Sequence, residues 1–300
     1  MADDIGRIKI GAALTVALSL AIVLLAPSPV VPATSYVVGN GETPLSIEDY
    51  SALPQYMVDE ARALAAELFG DNAEKCDEFI DQLLATYLAA RDKDVVIIFN
   101  SGGWGWSDFY ETREGESFFA GIESELSGMG YSLLFLNHKR TAKTFNSSMS
   151  EFMLAASIYP SKAQDLAARI EFLIKNIPGI RVIVTGVSNG TLICDEVVDI
   201  LEGNPQVYSI QMGPPFWNNA ASTERSLVIR GNGVTPDSFS QGDFFTIISA
   251  NIEALFGLSP EYPGDILLYI GSPGHDYNWQ YPEVRSQITD FLQANFSPKE

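Results

Sequence analysis

The sequence predicts an α/β fold, a mainly parallel sheet flanked by helices, preceded by an N-terminal apolar segment and a pair of helices. From residue 94 onward, short aliphatic and β-branched runs recur, and they are nearly all apolar, as expected for strands covered on both faces. Amphipathic helical patterns separate most of these runs, and such alternation is typical of a parallel sheet. The predicted strands are Val95–Phe99, Ser132–Leu136, Val182–Thr185, Val207–Gln211, Leu227–Ile229 and Ile266–Ile270.

Charge and cysteine content narrow the classes of partner. The 300 residues include 18 basic and 38 acidic side chains, a formal net charge of −20. Such a chain repels phosphate backbones, which argues against nucleic acid as a partner. Cys76 and Cys194 form no C-x-x-C motif or Cys/His cluster, so we expect two separate thiols, no metal site and no cofactor.

The first segment predicts contact with a membrane. Residues 10–26 carry no charge and are followed by a Pro-rich stretch; Arg7 and Lys9 precede them, and the next cation is Arg62. The positive-inside rule then places the N-terminus in the cytoplasm and the rest of the chain outside. The segment is either a retained single-pass anchor or a signal peptide cleaved near Val31-Pro32-Ala33, which would leave a secreted protein.

The domain organisation follows from these patterns. Residues 1–26 are the anchor or signal segment, and 27–50 are a Pro-rich tether. Residues 51–93 carry two helical patterns and are predicted to form a helical pair packed on the core. Residues 94–300 form the predicted catalytic domain.

Functional loops of a parallel sheet lie at the carboxyl ends of its strands. After Val182–Thr185 comes Gly186-Val187-Ser188-Asn189-Gly190, which leads directly into a helical pattern. A turn this tight strains the central residue and exposes its hydroxyl, while the helix N-terminus favours negative charge. A Gly-rich turn closing an ordinary βαβ unit is the structural alternative, but the strand before and the helix after indicate a nucleophilic Ser188.

A serine hydroxyl needs a base, and the chain has only two histidines. His275 follows the run Ile266–Ile270 and is predicted at the same sheet edge as Ser188. His138 stands beside Lys139 and Arg140, which would oppose its protonation, and is interpreted as a solvated loop histidine.

The carboxylate that orients the base should follow the strand between the serine turn and the histidine. Asp237 ends the Gly-rich loop after Leu227–Ile229 and is the preferred acid; Asp243 is the alternative. Two backbone N–H groups should hold the oxyanion. One is that of Asn189, and the other comes from Gly103 or Trp104 in the Gly-rich loop after Val95–Phe99.

Together, the order Ser–Asp–His, the serine turn, the loop Gly102-Gly103-Trp104-Gly105 and Gly274-His275-Asp276-Tyr277 before a last helix resemble the α/β-hydrolase family. The resemblance covers about residues 94–296 and implies that these positions are nucleophile, acid, oxyanion loop and base. Two departures stand out. The opening antiparallel strands of the family are not visible, and Asn100-Ser101 stands where many members have His-Gly.

The predicted function is that of a serine esterase acting on a small-molecule acyl substrate. Aromatic residues crowd the predicted site edge and either line a substrate pocket or cover the core: Trp104, Trp106, Phe216, Trp217 and Trp279. Two alternatives remain open: peptide cleavage or acyl transfer by the same residues, and a non-catalytic binding protein with the same fold.

Overall fold

The computed structural model describes residues 35–38, 46–47, 50–103, 105, 107, 109, 115–140, 160–256, 258 and 271–299. The apolar segment 10–26 and the predicted strand Ile266–Ile270 lie outside these ranges. Within them, no helix is both long and apolar enough to cross a membrane.

The strands are β1 (Ser35–Val38), β2 (Val95–Asn100), β3 (Leu133–Lys139), β4 (Arg181–Val187), β5 (Val207–Met212) and β6 (Ser226–Ile229). The helices are α1 (Gln55–Phe69), α2 (Ala73–Ala90), α3 (Gly115–Gly128), α4 (Pro160–Asn176), α5 (Gly190–Ile200), α6 (Ser238–Gln241), α7 (Phe244–Leu255) and α8 (Pro282–Asn295).

These strands form one sheet in the order β1-β3-β2-β4-β5-β6. Strands β2 to β6 are parallel to one another, which confirms the parallel sheet that the sequence predicts. The chain passes from β2 to β3 on one side and then crosses to β4 on the other side of β2. In open α/β sheets a crevice opens at such a reversal, outside the carboxyl ends of the strands. The loops after β2 and β4 therefore meet where a ligand is expected.

Helices cover both faces of the sheet because side chains of each strand alternate between them. On one face, Val96 and Ile98 of β2 pack with α4 and α5. On the other, Val95, Ile97 and Phe99 pack with α3 and α8. This double burial explains why β2 has no polar position before Asn100.

Strand β1 is a correction to the sequence-based organisation. It pairs antiparallel with β3, in a register that joins Ser35 to Lys139, and it lies inside the stretch 27–50 predicted to be a tether. One antiparallel edge strand is thus present, although none is visible in the sequence. Four residues in a Pro-rich stretch give too little local signal, and the strand is defined by its pairing with β3.

The helical pair formed by α1 and α2 packs on the main domain. Its apolar faces enclose a core of their own that also includes Phe172 of α4. The guanidinium of Arg169, also on α4, lies 4.2 Å from the centre of the Phe79 ring of α2. Cys76 of this pair and the buried Cys194 are both free thiols, as predicted.

Candidate active site

Ser188 lies in the tight turn between β4 and α5, and its backbone is left-handed. Its φ of +53° is positive, and it is the one non-glycine residue in the described ranges of which this is true. Such a conformation costs about 1–3 kcal/mol, so surrounding contacts must impose it. The Ser188 N–H donates to the Met212 carbonyl at 2.9 Å. The Ser188 carbonyl accepts from the backbone N–H of Thr191 at 3.0 Å and from its hydroxyl at 2.7 Å.

Glycine is required on either side of Ser188 because other backbone atoms lie too close to leave room for a Cβ atom. A Cβ on Gly186 would lie 2.7 Å from the carbonyl carbon of Gly190. A Cβ on Gly190 would lie 2.1 Å from the carbonyl oxygen of Asn100, at the end of β2. Only glycine at both positions lets the turn close against the neighbouring strand, which is the steric reason for the G-x-S-x-G pattern.

The loop after β2 lies directly against the serine. A Cβ on Gly102 would be 2.9 Å from Ser188 Cβ, so this backbone borders the serine side chain. Gly103, a predicted oxyanion donor, follows with a φ of +53°. Asn189, the other, heads α5 with its N–H at the positive end of the helix. The third candidate, Trp104, is outside the described residues.

A buried arginine that sequence analysis did not single out holds this loop. Arg140 follows β3 with 0% of its surface exposed. Its Nη1 donates to the Ser101 carbonyl at 2.7 Å, and its backbone N–H donates to the Gly105 carbonyl at 2.8 Å. The Lys162 ammonium donates to the Arg140 carbonyl at 2.8 Å. The loop that borders Ser188 is thus bonded at both ends to one residue.

His275 and Asp237, which are far apart in sequence, meet in the fold. His275 Nδ1 lies 2.8 Å from Asp237 Oδ2, and the aspartate is fully buried. Gly274 makes this approach possible, because a Cβ there would lie 2.1 Å from the Pro236 carbonyl oxygen. The structure therefore brings the preferred acid and the predicted base into contact.

Asp237 is held as a carboxylate. Its Oδ1 accepts from the N–H groups of Phe239 and Ser240 at 2.9 and 3.0 Å, which caps α6. Its Oδ2 accepts from the hydroxyls of Tyr277 and Ser240 as well as from His275. Burial alone would raise the pKa of Asp237, but the hydrogen bond and charge of His275, with the other donors, outweigh it and lower the pKa to about 2.

Ser188 and His275 are linked through the end of β5. The Met212 carbonyl accepts the Ser188 N–H, and a Cβ on the next residue, Gly213, would lie 2.5 Å from His275 Cε1. The buried Nε2 of His275 has no hydrogen-bond partner among the described residues, so the predicted bond to the Ser188 hydroxyl is not made here. Hydrogen bonds of this kind are often long before substrate binds.

The alternative acid and the second histidine lie elsewhere. Asp243 is exposed and caps α7 through Thr246, with Oδ1 3.1 Å from its N–H. His138 is not a solvated loop histidine: it is buried in β3, with Nδ1 2.6 Å from Asn100 Oδ1. Burial, and then the charge of Arg140, lower the pKa of His138 well below its usual value. Strand β3 continues past the apolar run through polar residues, which hid this burial from sequence.

Two of the predicted pocket aromatics, Phe216 and Trp217, are linked to His275 through the Phe239 ring. The Phe239 ring is 5.1 Å from the imidazole, Trp217 is 5.8 Å from Phe239, and Phe216 is 4.9 Å from Trp217. Trp279 instead packs on Gly121 of α3, where a Cβ would lie 2.1 Å from the indole, so the pocket prediction is not supported for it. Trp104 and Trp106 lie outside the described residues.

Comparisons with known proteins give a partial likeness in fold. No family model matches the chain, and no curated protein matches it. Among solved structures, it is similar to a Trichoderma reesei cutinase in complex with a C11Y4 phosphonate inhibitor (TM-score 0.35, 14% identity, 60% of this chain and 78% of that one). It is also similar to Aspergillus fumigatus lipase B (TM-score 0.28, 16% identity, 51% of this chain and 32% of that one). At these TM-scores neither likeness supports a conclusion about activity, and the resemblance to α/β-hydrolases rests on this chain's own sheet order, serine turn and buried aspartate–histidine pair.

Proposed function

We propose that this protein is a serine hydrolase that cleaves the carboxylic ester bond of a small-molecule acyl substrate. Ser188 is the nucleophile, His275 the general base and Asp237 the carboxylate that orients it. The contact between buried Asp237 and His275 Nδ1, which leaves Nε2 without a partner in the described structure, supports this proposal most directly. A histidine held in this way keeps the proton on Nδ1 and accepts a second one at Nε2.

In the first step, His275 Nε2 takes the proton of the Ser188 hydroxyl while Oγ bonds to the ester carbonyl carbon. The electron pair of the C=O bond moves to oxygen, and the N–H groups of Asn189 and of the Gly103–Trp104 loop stabilise this oxyanion. The Asp237 carboxylate stabilises the imidazolium that has formed. Its low pKa keeps it ionised throughout the neutral range.

In the second step, the C=O bond re-forms and the bond to the leaving alkoxide breaks. The imidazolium of His275 gives its proton to that oxygen, and the acyl group stays on Ser188. Water then attacks the acyl carbon, losing a proton to Nε2 while the C=O electron pair moves to oxygen. When the C=O bond re-forms, the bond between the acyl carbon and Oγ breaks, Oγ takes the proton from Nε2, and the acid product leaves.

We further propose that the chain acts outside the cytoplasm, attached to the membrane by residues 10–26 or secreted after their removal. The charge asymmetry around that segment supports this orientation. Protease added to intact cells should degrade the domain while cytoplasmic markers survive. Recovery of the whole chain as a soluble cytoplasmic protein would contradict the orientation.

The catalytic proposal is tested by covalent labelling. A fluorophosphonate probe should label the wild-type chain and the control Ser286→Ala, whose hydroxyl lies on the exposed side of α8. Ser188→Ala should not be labelled and should not turn over p-nitrophenyl butyrate. Labelling of Ser188→Ala at wild-type level would rule out this serine as the nucleophile.

A further inference from the structure

Helix α7 turns its apolar side to solvent. Phe245, Ile248 and Ile252 recur at helical spacing in α7, and Phe256 follows the end of the helix; these residues are 82%, 58%, 50% and 75% exposed. The apolar side of a surface helix normally faces the core. Contiguous exposed apolar surface of this kind marks an interaction site.

Helix α7 is also bonded to the loop that carries His275, through a residue outside its exposed apolar stripe. The Asn251 amide donates to the Gly271 carbonyl at 2.8 Å, and its oxygen accepts the Gly271 N–H at 3.0 Å. Gly271 begins the segment that carries His275. The helix that carries the exposed apolar residues is thus joined by two hydrogen bonds to the segment that carries His275.

The exposed apolar surface is continuous with the predicted base. Phe244, at the start of α7, lies 5.1 Å from the Phe216 ring. Phe216 and Trp217 are themselves 41% and 45% exposed, and Trp217 leads through Phe239 to the His275 imidazole. We name the exposed part the α7 surface; it consists of Phe216, Trp217, Phe244, Phe245, Ile248, Ile252 and Phe256. An unbroken series of aromatic contacts joins it to the site.

Charge narrows the kind of partner. No lysine or arginine occurs between Arg230 and Arg285, a stretch that includes all of α7. The charged residues on or beside the helix are Asp243 and Glu253. A binding surface for anionic headgroups carries lysine and arginine, and this one carries none. The partner is therefore apolar and without net negative charge.

The path of the chain indicates that this partner is a bilayer. Ser35 pairs with Lys139 at the carboxyl end of β3, so the chain enters the sheet at the same edge as Ser188. Residues 27–34 connect that point to the apolar segment 10–26, and eight residues extend at most roughly 28 Å. If that segment lies in the membrane, the α7 surface and the site edge are both held close to it.

We propose that the α7 surface inserts into the acyl region of an uncharged lipid bilayer, so that acyl chains pass along its aromatic residues to Ser188. The proposal rests on the proposed ester hydrolase and its membrane segment, and it makes bilayer-dissolved esters the substrate class. Aromatic and aliphatic side chains on one side of a helix are the usual means of such interfacial contact.

Tryptophan quenching in vesicles tests the contact without relying on catalysis. The full chain is reconstituted in phosphatidylcholine vesicles whose acyl chains carry bromine. Wild-type fluorescence should be quenched, and Trp217→Phe should remove part of that quenching. The triple variant Phe245→Ser, Ile248→Ser and Ile252→Ser should lose the same part.

The matched control is Ile200→Ser, which removes an apolar side chain that is 43% exposed on α5. It should be quenched like wild type. Hydrolysis of a long-chain ester dissolved in the vesicles should fall by about 10-fold or more in the triple variant. Hydrolysis of soluble p-nitrophenyl acetate should stay within about twofold, as expected for surface substitutions.

Three outcomes would overturn the proposal. One is wild-type quenching in the triple variant, and another is stronger quenching in vesicles containing phosphatidylglycerol than in neutral ones. The third is a wild-type dimer in sedimentation that the triple variant dissociates, which would make the α7 surface an interface between two copies. If quenching follows the expected pattern but no variant hydrolyses any ester, the surface stands and the proposed function fails.

Discussion

Replacing Asp237 with asparagine should move the proton of the His275 imidazole from Nδ1 to Nε2. Oδ1 of Asp237 accepts from two backbone N–H groups, whereas Oδ2 accepts from the side chains of His275, Tyr277 and Ser240. The backbone donors cannot rotate, so the amide oxygen of asparagine should stay with them and its NH2 group should point at His275 Nδ1. The imidazole must then accept a hydrogen bond at Nδ1 and carry its proton on Nε2. A general base must be unprotonated at Nε2 to take the proton of the Ser188 hydroxyl.

The expected loss in kcat is about 10⁴-fold, or about 5 kcal/mol of transition-state stabilisation. The assay is hydrolysis of p-nitrophenyl butyrate, with nitrogen-15 spectra of the two histidine rings to identify the tautomer. Asp243→Asn is the matched control, because Asp243 is exposed and its side chain accepts from the N–H and the hydroxyl of Thr246 at the start of α7. It should keep kcat within about twofold.

The same substitution should change stability and its dependence on pH. The pKa of Asp237 is about 2 in the fold against an ordinary value of 3.8, which corresponds to about 2 kcal/mol of stability. Because the folded pKa is the lower one, this contribution is complete above pH 4 and is lost as the pH falls towards 2. Urea unfolding at neutral pH should show Asp237→Asn less stable by about 2 kcal/mol or more, with a smaller loss in acid.

A normal kcat in Asp237→Asn together with a large loss in Asp243→Asn would refute the choice of acid. Unchanged Nδ1 protonation in a variant that has lost activity would refute the tautomer explanation instead.

Three further predictions concern the site. Ser188→Ala and His275→Ala should each lower kcat by about 10⁴-fold or more, and the double variant little further, since residues that act as a unit are not additive; independent, multiplying losses would contradict this. Arg140→Lys should lower kcat by about 10-fold or more with a smaller change in KM. The reason is that an ammonium group does not reproduce the contacts of the guanidinium, so the loop after β2 should shift and its oxyanion donors with it. Equal changes in kcat and KM would point to substrate binding. Gly190→Ala should lower the free energy of unfolding by about 1–3 kcal/mol, since its Cβ has no space beside the strand; a stability equal to wild type in thermal unfolding would show that the turn relaxes freely.

Much of the sheet and of the predicted site follows from local sequence. Strands β2, β4 and β5 are buried on both faces, and this makes most of their residues apolar and their positions predictable. The serine turn can be recognised in the sequence because neighbouring atoms leave room only for glycine at positions 186 and 190. Patterns of this kind depend on neighbours within a few residues, which is why they can be recognised in one chain.

The missed features depend on contacts between distant segments. The burial of Arg140 is created by the loop after β2, which lies about 40 residues earlier in the chain. The hydroxyl of Tyr277 donates to Asp237, which lies 40 residues earlier in the chain. Arginine is mostly exposed in proteins, and nothing next to Arg140 in sequence indicates its partner.

The left-handed backbone of Ser188 has a consequence for how this chain tolerates mutation. Glycine adopts the same conformation without a Cβ conflict, so Ser188→Gly should relieve about 1–2 kcal/mol of strain while removing the hydroxyl that we propose as the nucleophile. The substitution at position 188 that raises stability is therefore expected to abolish the proposed activity. A library of this chain selected only for heat resistance or expression should enrich glycine at position 188, and the selected variants should be stable but lack the proposed activity.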